Sequence, residues 1–492
     1  MPTLRICYLT PELAPYAKVG GLADVSAALP TALRRAGHDV RVFVPLYAQV
    51  LQVGHALSAV EGLQQIPVSL GDRRFTFDVL VPASEGAPER NYFLRCAPLY
   101  ERAGVYTSDP DEHLRFLLLC RGAIECCRGL AWAPDVFHCH DWQTALVPLL
   151  LRTVYGSDRL FERSATVLTI HNLAYQGIFP ADIVPQLGLG VGVTLLHQED
   201  LRARRVNFLR TGLMHAGTLT TVSPTYAREI QTAEYGAGLN GLLRRRGDEL
   251  VGILNGVDTE EWSPATDPFI PVRYSVDSLE HKARNRDALL DRLGSSAAPD
   301  IPVVGVVSRL TVQKGFDLVF DPLREQLAAD RLRLVALGSG EARYEEAFRG
   351  LESAFPGRAV FRRGFDNEVA HLIEAGSDIF LMPSLYEPCG LNQMYSLLYG
   401  TVPIVRRTGG LADSVQQFDP RTGEGTGIVF DHYTRDGVRR AIARALELFE
   451  DREAWRRMMK NGMRMDFSWE SRVPRYVEVY ERLVGARSGA PA

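Results

Sequence analysis

One pattern constrains this chain more than any other. A short apolar run, a polar or glycine-bearing loop and an amphipathic stretch follow one another again and again. Residues 303–307, Val-Val-Gly-Val-Val, carry no polar side chain. A run that short, with no alternation, fits a strand buried on both faces, as strands of a parallel sheet are. Residues 332–337, 359–362, 379–382, 402–405 and 427–430 repeat it, with amphipathic segments between them. The first half does the same at 4–9, 39–44, 135–142, where the run ends in polar and aromatic residues, 165–170 and 218–222, and again from 250. Strands alternating with helices predict α/β architecture, a parallel sheet with helices on both faces. At 492 residues the chain should hold two or three domains. The irregular, proline-bearing stretch 262–274 reads as the linker between two halves.

In open α/β sheets ligands gather outside the carboxyl ends of strands. After 303–307 come Arg309 and Lys314 beside Gly315, then a segment from Phe316 that reads as helix. A rigid guanidinium fork and a lysine point charge at a helix start suit a diphosphate. The same residues also fit a surface loop with two solvated cations. After the first strand come Lys18, Gly20 and Gly21, then a helix over 26–35. Paired glycines let a ligand approach the backbone, although the dinucleotide fingerprint G-x-G-x-x-G is missing and a plain turn stays open. Asp141 lies at the end of the 135–142 strand and His171 follows 165–170, on the same sheet edge. Glu387-Pro388-Cys389-Gly390-Leu391 and Thr408-Gly409-Gly410 also follow strand ends, and Gly-Gly-Leu-Ala-Asp occurs at both 20–24 and 409–413.

Several classes are excluded. With 55 Lys and Arg against 59 Asp and Glu, net charge -4, neither nucleic acid nor an anionic membrane is an expected partner. No apolar run approaches the ~20 residues of a membrane span. The chain starts directly into a strand, without the features of a signal peptide, and its seven scattered cysteines fit a reduced cytoplasm. No metal or other cofactor is expected. His138-Cys139-His140 lies on a strand, where neighbours point to opposite faces, so the trio cannot converge on zinc. Asp109-Pro110-Asp111 matches the D-x-D of metal-dependent sugar transfer, but it precedes a helical run over 112–127 for which Asp111 reads as the N-cap.

Taken in order, these motifs resemble the bacterial glycogen synthases of the ADP-glucose-using glycogen/starch synthase family. The resemblance rests on Lys18-Val19-Gly20-Gly21-Leu22-Ala23-Asp24, His138-Cys139-His140-Asp141-Trp142, His171-Asn172-Leu173-Ala174-Tyr175-Gln176-Gly177, Leu254-Asn255-Gly256-Val257-Asp258, Ser308-Arg309-Leu310-Thr311 with Gln313-Lys314-Gly315, Glu387-Pro388-Cys389-Gly390-Leu391 and Thr408-Gly409-Gly410-Leu411. It implies a GT-B fold, two Rossmann-like doubly wound domains facing across a deep cleft. The expected domains are 1–258, with a C-terminal helix at about 468–484 packed back on it, and 259–467. The implied reaction passes glucose from ADP-glucose to the non-reducing end of an α-1,4-glucan, with retention, in glycogen biosynthesis.

By the same resemblance, Arg309 and Lys314 hold the donor diphosphate, and Lys18 with the Gly20 and Gly21 backbone reaches it from the other domain. His171 contacts the transferred glucose, and Asp141 contacts sugar or acceptor hydroxyls. Asn255 lies near the glucose at the domain junction. Glu387 lies beside the glucosyl ring, with Cys389, Gly390 and Leu391 lining its pocket. Thr408, Gly409 and Gly410 add backbone donors, and Phe365 stacks on the adenine. Tyr395 stands where many retaining GT-B enzymes carry a second glutamate. The implied mechanism is front-face, with domain closure and no covalent intermediate.

Overall fold

A computed structural model describes residues 3–83, 90–296 and 299–488. The chain forms two compact units. One comprises Met1–Val222, Ala227–Gly256 and Trp469–Ala492; the other comprises Ser223–Tyr226 and Val257–Ser468. The fold is GT-B, an α/β architecture with one Rossmann-like unit in each half.

In the first unit, seven strands run parallel in the order Leu250–Gly252, Thr218–Thr221, Ala165–Ile170, Val136–His140, Arg5–Leu9, Asp39–Pro45, Asn91–Arg95. Arg73–Pro82 then adds antiparallel, pairing Val79 with Leu94. Residues 84–89 lie outside the described residues, as do Met1 and Pro2. The chain builds outward from Arg5–Leu9 on one side, then returns to its other side with Val136–His140. The order therefore reverses between these two strands. Both are closed off from water: Ile6, Cys7, Tyr8, Leu9, Val136 and Phe137 are fully buried.

The second unit is a six-stranded, all-parallel sheet in the order Ala359–Arg363, Arg333–Gly340, Val303–Leu310, Ile379–Met382, Val402–Arg406, Ile428–Phe430. This is the doubly wound order with its reversal between Val303–Leu310 and Ile379–Met382. Its core joins Val304, Val306, Leu334, Phe361, Ile404 and Phe430 to Leu446, Phe449, Trp455 and Met458 from the two helices Arg435–Glu450 and Arg452–Met463.

Several sequence expectations shift. The glycine loop feeds a helix that begins at Gly21, five residues earlier than read, because Gly20 serves as its N-cap. The strand from Val303 runs on to Leu310, so Arg309 is a strand residue opposite Ser339. Two single 3₁₀ turns, Val312–Lys314 and Phe316–Leu318, precede the helix Phe320–Ala328. Asp111 occupies the N-cap position, but its carboxylate grips Arg102 instead of capping the helix. The stretch 262–274 is no tether. Trp262 stacks between His371 and Tyr395, and Ile270 and Tyr274 are core residues of the second unit. Proline marks irregular backbone, and irregular backbone can still be packed.

The last helix is Val473–Ser488, starting and ending a few residues later than the helix at about 468–484 expected from sequence; 489–492 lie outside the described residues. It belongs to the first unit. The Tyr480 hydroxyl meets His138 Nδ1 at 2.8 Å, and His138 Nε2 meets Thr169 Oγ1 at 2.7 Å, which meets Thr220 Oγ1 at 2.6 Å. All four residues are fully buried. Leaving the buried His138 Nδ1 without its partner costs ~1–3 kcal/mol. Tyr480→Phe should therefore lower the unfolding free energy of the first unit by about that amount in urea titration, and Tyr480→Ala by ~3–5 kcal/mol because it also opens a cavity.

Candidate functional site

In each sheet the strand order reverses once: Lys18, Asp141 and His171 follow strands beside the reversal in the first unit, and Arg309, Lys314 and Glu387 lie at or after strands beside it in the second. In the first unit, the loop after Arg5–Leu9 is shaped by Glu12, a residue sequence reasoning missed. Its side chain is 4% exposed. Oε2 accepts the backbone N–H of Val19 at 2.8 Å and of Gly20 at 2.9 Å, and Oε1 accepts the hydroxyl of Tyr106 at 2.6 Å. The Gly20 N–H is thus engaged within the protein. Lys18, beside it, is partly exposed and pairs with Asp24 at 2.7 Å, a contact that solvent screening keeps weak.

Across the reversal point, Asp141 ends the strand Val136–His140 with φ 55°, the left-handed region. A non-glycine residue there costs on the order of 1–3 kcal/mol, and such strain is held in place mainly at working sites. The turn aims the carboxylate at the next loop, where Oδ1 accepts His171 N–H at 2.7 Å and lies 3.4 Å from Asn172 N. Burial pushes the Asp141 carboxyl up to about 7 against the pull of these N–H groups, and nearby Glu12 raises it further. His171 meets His140 ring to ring, Nε2 to Nδ1, at 2.9 Å. Burial lowers His171 to about 3, and burial with the neighbouring imidazoles keeps His140 well below the usual range, so both are neutral. Asn255 is 4% exposed, with its Oδ1 unpartnered among the described residues.

In the second unit, Arg309 is exposed at the end of Val303–Leu310, and its guanidinium has no partner among the described residues. Lys314 donates to Glu387 Oε2 at 2.7 Å, and Ser384 Oγ donates to the same oxygen at 2.9 Å. Glu387 is 5% exposed. The loop that carries it is held from below by Arg406, which donates to Ser384 O at 2.9 Å and to Leu385 O. Two glycines are required by close approach. Gly315 has φ 73°, and a Cβ there would sit 2.1 Å from Pro383 O, so only glycine lets the Lys314 turn press onto the glutamate loop. Gly409 has φ 44°, and its Cβ would fall 1.9 Å from Glu387 O; Gly410 N–H donates to that same carbonyl at 3.0 Å. The Thr408–Gly410 segment is thus a packing partner of Glu387–Cys389. Thr408 N–H donates to Arg406 O at 2.9 Å, so it too is engaged internally.

Cys389 is buried, and the Cys389 and Gly390 carbonyls accept from Gln393 Nε2 at 3.1 and 2.9 Å. Leu391 precedes the helix Asn392–Leu398. Tyr395 is committed to a stack on Trp262, centroids 3.9 Å apart and planes within 6°. Phe365 stands apart from this cluster, after the edge strand Ala359–Arg363, and is 70% exposed. Among the described residues, no group of three or more His, Cys, Asp or Glu could hold a metal ion. Glu12, Tyr106, Ser384, Arg406 and His140 were not singled out as site residues from sequence. A lone acid placed among apolar residues and prolines, as Glu12 is, was the available signal, because such a group must be partnered when buried.

Comparison with known proteins identifies the family. Residues 5–245 match the family described as starch synthase catalytic domain, and 293–462 match glycosyl transferases group 1. A glycogen synthase of Koribacter versatilis (strain Ellin345) is 45% identical over 99% of this chain and 100% of its own. One from Thermotoga petrophila is 41% identical over 97% and 99%. The catalytic domain of starch synthase IV from Arabidopsis thaliana, solved with ADP and acarbose, superposes with a TM-score of 0.89 at 34% identity, covering 98% of this chain and 100% of that one. Sucrose-phosphate synthase from Thermosynechococcus elongatus shares the fold at TM-score 0.61 and 17% identity, covering 98% and 99%. With both halves matched in register and near full-length identity to glycogen synthases, the chain belongs to the glycogen/starch synthase family of glycosyltransferases.

Proposed function

We propose that this chain is a glycogen synthase, which transfers glucose from ADP-glucose to the non-reducing end of an α-1,4-glucan with retention of configuration. The observation that carries the reading is the Lys314–Glu387 pair at the reversal point of the second sheet, with Arg309 unpaired on the adjoining strand. Breaking the anomeric bond sends negative charge onto the departing diphosphate, so fixed cations must already stand there. At an effective dielectric of ~20, one cation ~4 Å away contributes about 4 kcal/mol of Coulomb energy. Arg309 and Lys314 supply two, and the reading needs no metal for this task. The solved relative from Arabidopsis holds ADP and acarbose, a donor product and a sugar chain, which supports the same two ligand classes here.

Glu387 is assigned to the glucosyl ring. Its Oε2 already takes two hydrogen bonds, which favours orientation or charge stabilisation over attack. Asp141 and His171 are assigned to hydroxyls of the sugar, Cys389, Gly390 and Leu391 to its pocket, and Asn255 with its unpartnered buried oxygen to the same glucose. Lys18 and Gly21 are assigned to the phosphates, with Phe365 to the adenine. We also place the enzyme in the cytoplasm, where its seven free cysteines stay reduced.

The direct test incubates the protein with glycogen and either ADP-glucose or UDP-glucose and follows released nucleotide. ADP-glucose should be the preferred donor by kcat/KM; equal or better use of UDP-glucose overturns the donor assignment. Lys314→Ala should lower kcat by about 10²–10⁴, and wild-type turnover in that variant would remove Lys314 from the charge-stabilising role.

The raised Asp141 carboxyl gives a pH signature. If its ionised form binds the sugar, wild-type kcat/KM climbs as pH rises through about 7, and Asp141→Asn lacks that limb. A raised folded value also means that the group's stabilising contribution is present at low pH and is lost as pH climbs from 3.8 to about 7. Asp141→Asn should therefore gain on wild type in thermal stability across that window. A constant difference between the two melting profiles would contradict the raised carboxyl.

A further inference from the structure

His140 is fully buried and takes no part in the proposed chemistry, yet it holds the one ring contact that His171 makes among the described residues. Its own orientation is fixed from two sides. The Tyr8 ring lies 4.1 Å away at 33°, and the His138 ring lies 4.2 Å away at 41°. Residues 138 and 140 share one face of their strand, whereas Cys139 faces the other.

The 2.9 Å contact between His140 Nδ1 and His171 Nε2 needs one proton between two neutral rings. If His171 donates, His140 must carry its own proton on Nε2. That atom is buried and without a partner, and an orphaned buried N–H is a rarely tolerated defect. If His140 donates, the unpartnered Nε2 is a bare lone pair. His171 then accepts at Nε2 and must carry its proton on Nδ1.

We infer that His140 is a positioning residue, whose Nδ1–H donates to His171 Nε2 and fixes the His171 imidazole as the Nδ1–H tautomer. His171 is partly exposed, so this leaves a ring N–H available to a sugar hydroxyl oxygen. Free histidine in water favours the other tautomer, so the protein must impose this one. A misplaced proton would turn the donor at Nδ1 into an acceptor and change which hydroxyl arrangement His171 can recognise. The inference rests on the reading that His171 contacts the transferred sugar, while the tautomer itself does not.

The test has two arms. The full-length protein, labelled with ¹⁵N-histidine, should show His171 and His140 each protonated at Nδ1 and bare at Nε2. A proton on His171 Nε2 overturns the inference. In the kinetic arm, His140→Leu should lower kcat with ADP-glucose and glycogen by about 10–100-fold, the usual effect of removing an outer partner of a working imidazole, with a smaller change in donor KM. His140→Asn places an amide N–H where Nδ1 stood and should recover most of that loss. An equal loss in both variants, each folded with the wild-type melting profile, overturns the positioning role; should either variant fail to fold, the wild-type tautomer decides. Glycogen synthesis absent from the wild-type protein would instead sink the functional reading, and the NMR result would still stand.

Discussion

A carboxylate taken out of water must find donors, and in each unit one buried glutamate organises the loops at the reversal point by meeting that demand. Glu12 gathers two backbone N–H groups and a tyrosine hydroxyl, which shapes the loop carrying Lys18 and Gly21. Glu387 gathers Lys314 and Ser384. Neither arrangement survives loss of the acid, since the donors around it would then be the buried groups without partners. The doubly wound sheet explains why both glutamates sit where they do. Reversal of strand order opens the helix layer at one point along the carboxyl edge, and only there can polar loops fold inward while the strands beneath remain apolar.

Much of this was legible in the sequence because parallel strands are buried on both faces and announce themselves as unbroken apolar runs. Val303–Leu310, Ile379–Met382 and Val402–Arg406 were each placed to within three residues. What failed was reading through the polar end of a strand. Ser308 and Arg309 look like loop residues, yet the ladder to Ser339 and Gly340 continues across them. Hydrogen bonds between backbones do not require apolar side chains, so composition marks where burial stops and not where pairing stops. The same limit hid the role of 262–274, where three prolines suggested a tether and the aromatic residues between them carried the packing.

The repeated Gly-Gly-Leu-Ala-Asp shows how one string can arise from two different constraints. At both sites it opens a helix, and in both the leucine is buried, Leu22 and Leu411. At Gly409 and Gly410 the glycines are demanded by contact, because a side chain would strike the Glu387 and Cys389 carbonyls. At Gly20 a Cβ would meet nothing within 4 Å. The aspartates diverge as well: Asp24 pairs with Lys18, whereas Asp413 accepts from Thr225 N and Oγ1. An open glycine at one site and a crowded pair at the other suit different uses, room beside the first sheet and rigidity beneath Glu387 in the second.

That rigidity bears on the lysine. Lys314 sits on a 3₁₀ turn pinned by Gly315 against Pro383, and its ammonium reaches the carboxylate that the Gly409–Gly410 segment holds from the other side. A cation so placed is already desolvated on one flank and already oriented, so an anion arriving beside it would demand little reorganisation. Pairing with Glu387 also limits the cost of keeping the ammonium half-buried, since a lone charge taken out of water would go uncompensated. The arrangement thus serves two demands with one contact. Lys314 holds Glu387 in place, and Glu387 in turn fixes the direction of the ammonium.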